Sequence, residues 1–267
     1  MFLCVVGDQV LGVTQLHNIV YIVCFGSSEI IRFSSVTHER LADITVKDLR
    51  HPRDIAACQQ TAQLYVADRP FTGTAGCVWR VSSDGEDIKR WLPKSPSDTF
   101  SPDTLSVTSS RLLVTSRDLN QLRQFKAVGD ELRLVDLPDD MTPSHAMESP
   151  TGTFIVSHYN EQLEHSQVSE VNTGGQVLRQ FSGSRLLPLD GTPDVAVDSQ
   201  GNIFVADWDN ERILLLDSRL ALRRVIIDEH QLNYKIPRRL CYSEQSGQLL
   251  VGLRNDAFVA VFDVLHR

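Results

Sequence analysis

Cysteine is sparse and poorly placed for cross-linking. The five residues, Cys4, Cys24, Cys58, Cys77 and Cys241, are odd in number, widely spaced, and mostly set inside apolar runs such as Ile55-Ala56-Ala57-Cys58 and Leu240-Cys241-Tyr242. Disulfide frameworks and zinc sites show clustered spacing, so these cysteines read as small buried hydrophobes in a reducing compartment. Long apolar stretches are missing too. In the first 25 residues Asp8, Gln9, Gln15, His17 and Asn18 interrupt every run and no basic residues lead in, which excludes a signal peptide or a membrane span there. No Asn-x-Ser/Thr acceptor occurs, in keeping with a cytoplasmic protein. Nor is there an excess of positive charge: 26 Lys+Arg against 34 Asp+Glu leave a net charge of −8, a field that repels polyanions unless basic residues gather on one face. RNA is therefore a disfavoured partner.

Helical periodicity is absent as well, since apolar runs last four or five residues and are separated by polar segments. No linker rich in Pro, Gly or Ser divides the 267 residues near the midpoint, so a pair of β-sandwiches has little support. The chain is expected to form one domain over residues 1–267.

What is present is a repeat. Six segments align: Asn18-Ile-Val-Tyr-Ile-Val23, Gln63-Leu-Tyr-Val-Ala-Asp68, Arg111-Leu-Leu-Val-Thr-Ser116, Thr153-Phe-Ile-Val-Ser-His158, Asn202-Ile-Phe-Val-Ala-Asp207 and Gln248-Leu-Leu-Val-Gly-Leu253. Their starts lie 45, 48, 42, 49 and 46 residues apart, a spacing typical of propeller blades. Pro52, Pro102, Pro143, Pro193 and Pro237 precede five of the units at similar offsets, where a missing N–H takes nothing from a ladder. A third apolar run follows in each unit and a less regular fourth in most. Four strands per unit and six units predict an all-β, six-bladed β-propeller of four-stranded antiparallel blades. The last unit stops one strand short, and Phe2-Leu-Cys-Val-Val6 is an orphan strand at the other end. It is expected to complete the last blade, close the ring and remove an exposed edge.

Pro193-Asp-Val-Ala-Val-Asp, then Gly201-Asn-Ile-Phe-Val-Ala-Asp207, then Asn210-Glu-Arg-Ile213 and Leu216-Asp217 together resemble the NHL repeat. The second unit keeps Pro52, Tyr65-Val-Ala-Asp68 and Val78-Trp-Arg-Val81, whereas the third, fourth and sixth replace the signature Asp by Ser116, His158 and Leu253. The resemblance implies the C-terminal propeller of tripartite-motif proteins, although RING, B-box and coiled-coil segments are absent from this sequence. It also implies three kinds of function: protein binding, RNA binding as in some tripartite-motif proteins, and metal-dependent hydrolase or lyase chemistry as in related six-bladed propellers.

Fold does not give function, so a site has to be argued from residues. Loops joining second to third strands share a face with loops joining blade to blade. On that face Trp208, Tyr159 and Phe71, with Arg69, Arg117, Arg254, Arg53 and Arg238, are the candidates for contacting a protein or peptide, because aromatic and arginine side chains are favoured interface anchors. Around the central opening Arg53, Asp103, Asp194 and Arg238 are expected to pair with one another. Asp68, Asp207, Asn210 and Arg212 read as structural, each carboxylate ordering its own loop. His51, His145 and His158 come from separate loops and read as structural or solvent residues, and Trp79 and Trp91 as packing. No Ser/His/Asp arrangement or phosphate-cradling glycine loop is evident. No catalytic residue, metal ligand or cofactor is assigned, and a non-catalytic interaction module is the leading expectation.

Overall fold

The computed structural model describes residues 2–4, 9–69, 76–92, 100–184, 188–191, 194–254 and 257–264. Six four-stranded antiparallel sheets are arranged as the blades of a propeller. Blade 2 shows the plan, with strands Pro52–Cys58, Gln63–Asp68, Cys77–Ser82 and Ile88–Leu92 running from the axis outward. The innermost strands of the other blades are Val10–Leu16, Thr104–Thr108, Met141–Glu148, Asp194–Val197 and Pro237–Ser243, and each lies beside its counterparts in the neighbouring blades.

Burial follows from this plan. The second strands carry apolar residues on both faces, because each sheet is covered by a neighbour on either side; Gln63–Asp68 and Ile203–Asp207 are almost wholly buried. The outer strands face solvent and alternate or lose their apolar pattern, as in Glu131–Asp136, where Val135 is the one buried residue. One apolar cluster fills each gap between blades. Leu16, Tyr21 and Ile30 of blade 1 meet Ile55, Leu64 and Trp79 of blade 2, and Ala206 and Ile213 of blade 5 meet Leu249 and Val251 of blade 6. Tyr21 and Tyr65 repeat one further device: each hydroxyl donates to a backbone carbonyl of the next blade, Ser83 O at 3.1 Å and Ala127 O at 3.3 Å.

The ring closes as expected. Phe2–Cys4 pairs antiparallel with Phe258–Asp263 and supplies the outer strand of blade 6, with Leu3 opposite Val259. Leu3 is buried in the cluster joining blade 6 to blade 1. Cys24, Cys58 and Cys77 are buried free thiols, and burial pushes that of Cys77 up to about 11.

Four innermost strands carry a register shift near their start: between Val10 and Gly12, Pro52 and Asp54, Pro143 and His145, and Pro237 and Arg239. Each leaves one residue outside the ladder, namely Leu11, Arg53, Ser144 or Arg238. A bulge of this kind re-aims a side chain next to a site.

Candidate functional site

The bulges separate two layers at the axis. Gly12, Asp54, Thr104, His145, Asp194 and Arg239 occupy equivalent ladder positions in the six blades, opposite Val23, Ala67, Thr115, Ser157, Ala206 and Gly252. They form an inner polar ring. Asp54 is buried and accepts N–H bonds from Ile55 and, across the blade boundary, Leu105, both at 2.9 Å. Asp194 likewise joins blades 5 and 6, accepting from Leu240 N–H at 2.7 Å. Its other oxygen lies 3.1 Å from His145 Nδ1 and 3.5 Å from Arg239. Arg239 also approaches Asp54 at 3.8 Å and donates through Nε to Leu11 O at 2.8 Å. Gly12 is required by close approach, since a Cβ there would stand 2.6 Å from Ile55 N. Burial pushes the Asp54 carboxyl up, against the pull of Arg239.

Below this ring a cavity of about 440 Å³ runs along the axis, lined by strand residues such as Val13, Leu105 and Met147 and reaching His17, Gln59 and Glu244. Above it, on the loop face, a smaller cavity of about 140 Å³ is lined by Arg53, Asp103, Thr104, Arg117, Pro143, Ser144, Trp208, Arg238 and Arg239. Arg239 borders both.

The loop-face mouth gathers most of the arginines singled out from the sequence. Arg53, Arg117 and Arg238 line it. Arg254 lies over the Trp208 ring at 4.3 Å, with Arg238 at 5.8 Å from the same ring. Trp208 is half-buried and packs on the connection from blade 4 to blade 5, where a Cβ on Gly191 (φ +78°) would come within 2.5 Å of Trp208 Cβ. Arg69 stands apart, paired with Asp103 and Asp118, and Asp103 also accepts the Arg117 N–H at 2.9 Å.

Arg238 is weakly compensated. Among the described residues it forms no ion pair, and its buried Nε has no hydrogen-bond partner. Burial and repulsion by Arg239, Arg254 and Arg53 push its guanidinium down to about 9. Burial likewise lowers Arg53, against the attraction of Asp103. The four residues expected to pair within one ring divide between two layers: Arg53, Asp103 and Arg238 line the mouth, where Asp103 attracts Arg53, while Asp194 lies one layer below, with Arg239 and His145.

Two other loop candidates sit differently from expectation. In blade 4 the second strand runs on to Asn160, paired with His165, because Asn160 Oδ1 accepts the Gln162 and Leu163 N–H groups and holds a turn at 161–164. His158 and Tyr159 are therefore strand residues. His158 is fully buried, with Nε2 2.8 Å from Ser169 Oγ, and burial pulls it down to about 4. His145 is likewise an axial strand residue and not a loop histidine. Phe71 lies outside the described residues.

The signature carboxylates serve their loops. Asp207 is fully buried and accepts from Arg212 and Asn210 at 2.7 and 2.9 Å and from Asp190 N–H at 3.1 Å. Arg212 and Asn210 also donate to Pro188 O, at 2.7 and 3.2 Å. Asp68 repeats the arrangement in blade 2, accepting from His51 N–H at 2.8 Å and Trp79 Nε1 at 3.2 Å. Both tie the end of the second strand to the loop from the preceding blade. Among the described residues no three His, Cys, Asp or Glu side chains converge as metal ligands.

Ser144 and Arg239 belong to the blade-to-blade connections expected on this face, whereas the Asp54 layer beneath the mouth was not singled out from the sequence. The signal was the offset of two residues from Pro52, Pro102, Pro143 and Pro237, which places Asp54, Thr104, His145 and Arg239 in register.

No protein-family model matches the chain, and no curated protein matches it in sequence. Solved structures match its fold. A catalytically inactive virginiamycin B lyase from Staphylococcus aureus, solved with quinupristin, aligns over 97% of this chain and 82% of its own, with a TM-score of 0.67 and 14% identity. Hydrazine synthase of Kuenenia stuttgartiensis aligns over 98% and 97% (TM-score 0.65, 13% identity), and a chain of a nidogen/laminin complex over 84% and 82% (TM-score 0.62, 15% identity). At these identities the chain is similar to lyase and protein-binding propellers alike, and what it shares with them is the six-bladed fold.

Proposed function

We propose that this chain is a non-catalytic, NHL-like interaction module that takes a protein or peptide at the loop-face mouth, with Trp208 as its central anchor. The observation that carries this reading is Trp208 itself. The neighbouring Asp207, Asn210 and Arg212 are consumed in holding the loop, whereas Trp208 lies beneath Arg254 and beside the mouth with its indole N–H buried and without an acceptor. An aromatic surface flanked by arginines and not needed by its own loop is the composition of an interface hot spot. A propeller of the same fold in a nidogen/laminin complex supports the use of such a scaffold for docking proteins.

The test is selection from a random peptide library on the immobilised protein, followed by affinity measurement for the selected sequences. Trp208→Ala should weaken binding by roughly thirtyfold, the loss of about 2 kcal/mol expected of a hot-spot aromatic, while Tm falls by no more than about 3 °C. Equal binding by variant and wild type would remove Trp208 from the site. Retention of single-stranded RNA in preference to any peptide would favour RNA binding instead.

A further inference from the structure

The mouth cavity contains hydrogen-bond donors that the fold leaves unused. Ser144 Oγ, Trp208 Nε1 and Arg238 Nε all belong to residues lining it, and each of these atoms is sealed from solvent and has no partner. Buried donors are rarely left unmade, and several around one cavity point to an acceptor supplied from outside. The charges agree. Arg53, Arg117, Arg238 and Arg239 line the cavity, and the one carboxylate in its walls among the described residues, Asp103, is already held by Arg69 and by the Arg117 N–H. Arg239 is committed to Asp54 and Asp194 below. Arg238 forms no ion pair among the described residues, and the longer-range attraction of Asp194 is outweighed by Arg239, Arg254 and Arg53.

Size and surroundings narrow the ligand. At about 140 Å³ the cavity suits the end of one side chain, well short of the roughly 300–1,000 Å³ of pockets that enclose a whole small molecule. A nucleic-acid backbone needs a continuous basic track. Here the loops around the mouth present exposed Asp118, Asp190 and Asp209, which break any such track.

We propose that this cavity is a carboxylate pocket, which receives the acidic side chain or terminal carboxylate of a partner peptide, with Arg238 as counter-ion and Trp208 Nε1 and Ser144 Oγ as neutral donors. The source of the carboxylate rests on the interaction-module reading; the pocket itself does not.

The three tryptophans make the pocket observable. Trp79 Nε1 donates to Asp68 at 3.2 Å and Trp91 Nε1 to Ala127 O at 3.0 Å, so of the three indoles only that of Trp208 has no acceptor within the fold. In nitrogen-15 indole spectra of the full chain, N-acetylglutamate amide should shift the Trp208 signal downfield in a saturable manner, leaving Trp79 and Trp91 in place. N-acetylglutamine amide and equal sodium chloride should not. Arg238→Gln and, separately, Ser144→Ala should each raise the apparent Kd at least about tenfold, with the Trp79 and Trp91 signals certifying the fold of both variants. The proposal is overturned if the glutamate probe gives no saturable shift, if the glutamine probe or chloride shifts Trp208 equally, or if both variants respond like wild type. A shift with inorganic phosphate but not with the glutamate probe also overturns it and assigns the pocket to phosphate. The two readings fail separately: an indole response with no Trp208-dependent peptide would sink the interaction module alone, and Trp208-dependent peptides without an indole response would sink the pocket alone.

Discussion

Asp207 and Trp208 are adjacent in the chain and do opposite things. Asp207 is satisfied by Arg212, Asn210 and a loop N–H, so its charge is spent inside the blade; Trp208 offers an indole N–H with no acceptor. Sequence comparison among the six units was enough to separate them, because the Asp recurs at Asp68 and the tryptophan recurs nowhere. His158 is a second residue whose surroundings decide its behaviour. Desolvation holds it at about 4, against 6.5 for a free histidine, and the nearby Asp140 only partly offsets this. The unfolded chain therefore binds the proton first. Stability from this group is complete above pH 6.5 and falls as the pH drops from 6.5 toward 4, on the order of 3 kcal/mol in all. Thermal melts between pH 7 and 4 should show a shallower decline for His158→Gln than for wild type, and parallel curves would show that His158 is not the group responsible.

At the scale of elements, strand positions were legible because apolar runs and turn residues alternate with little ambiguity, and the orphan N-terminal strand could be matched to an incomplete last unit. Strand ends were not. The blade-4 strand reaches Asn160 because an asparagine side chain organises the following turn, a local bond with no apolar pattern to announce it. The axial layers were hidden for a related reason: a one-residue bulge flips a side chain to the other layer, so Arg53 and Asp54 could not be assigned to mouth and ring from periodicity alone. Closure of the ring depends on Phe2–Cys4, and within it on Leu3, buried between blade 6 and blade 1. Leu3→Ala should cost about 2–3 kcal/mol and lower Tm by roughly 5–10 °C. A Tm within 1 °C or so of wild type, read by calorimetry, would mean that the terminal strand does not hold the ring together.

For the whole molecule, a net charge of −8 and a cationic mouth are compatible because charge is distributed by layer. Carboxylates are set in loop locks, in the inner ring and on the outer rim, while Arg53, Arg117, Arg238 and Arg254 converge at or beside one opening. Net charge is a global property and could not show this local reversal, which requires blades 2, 3 and 6 to bring their loops together. Among the described residues two axial chambers are divided by the Arg239 layer, and the ligand is expected in the upper one. Hydrogen–deuterium exchange with and without a selected peptide distinguishes the two directly. Protection is predicted at residues 50–54, 142–145, 207–211 and 237–239 on the loop face. Protection confined to the opposite turns, at residues 16–19, 59–62 and 244–247, would place the ligand in the lower chamber and contradict the account.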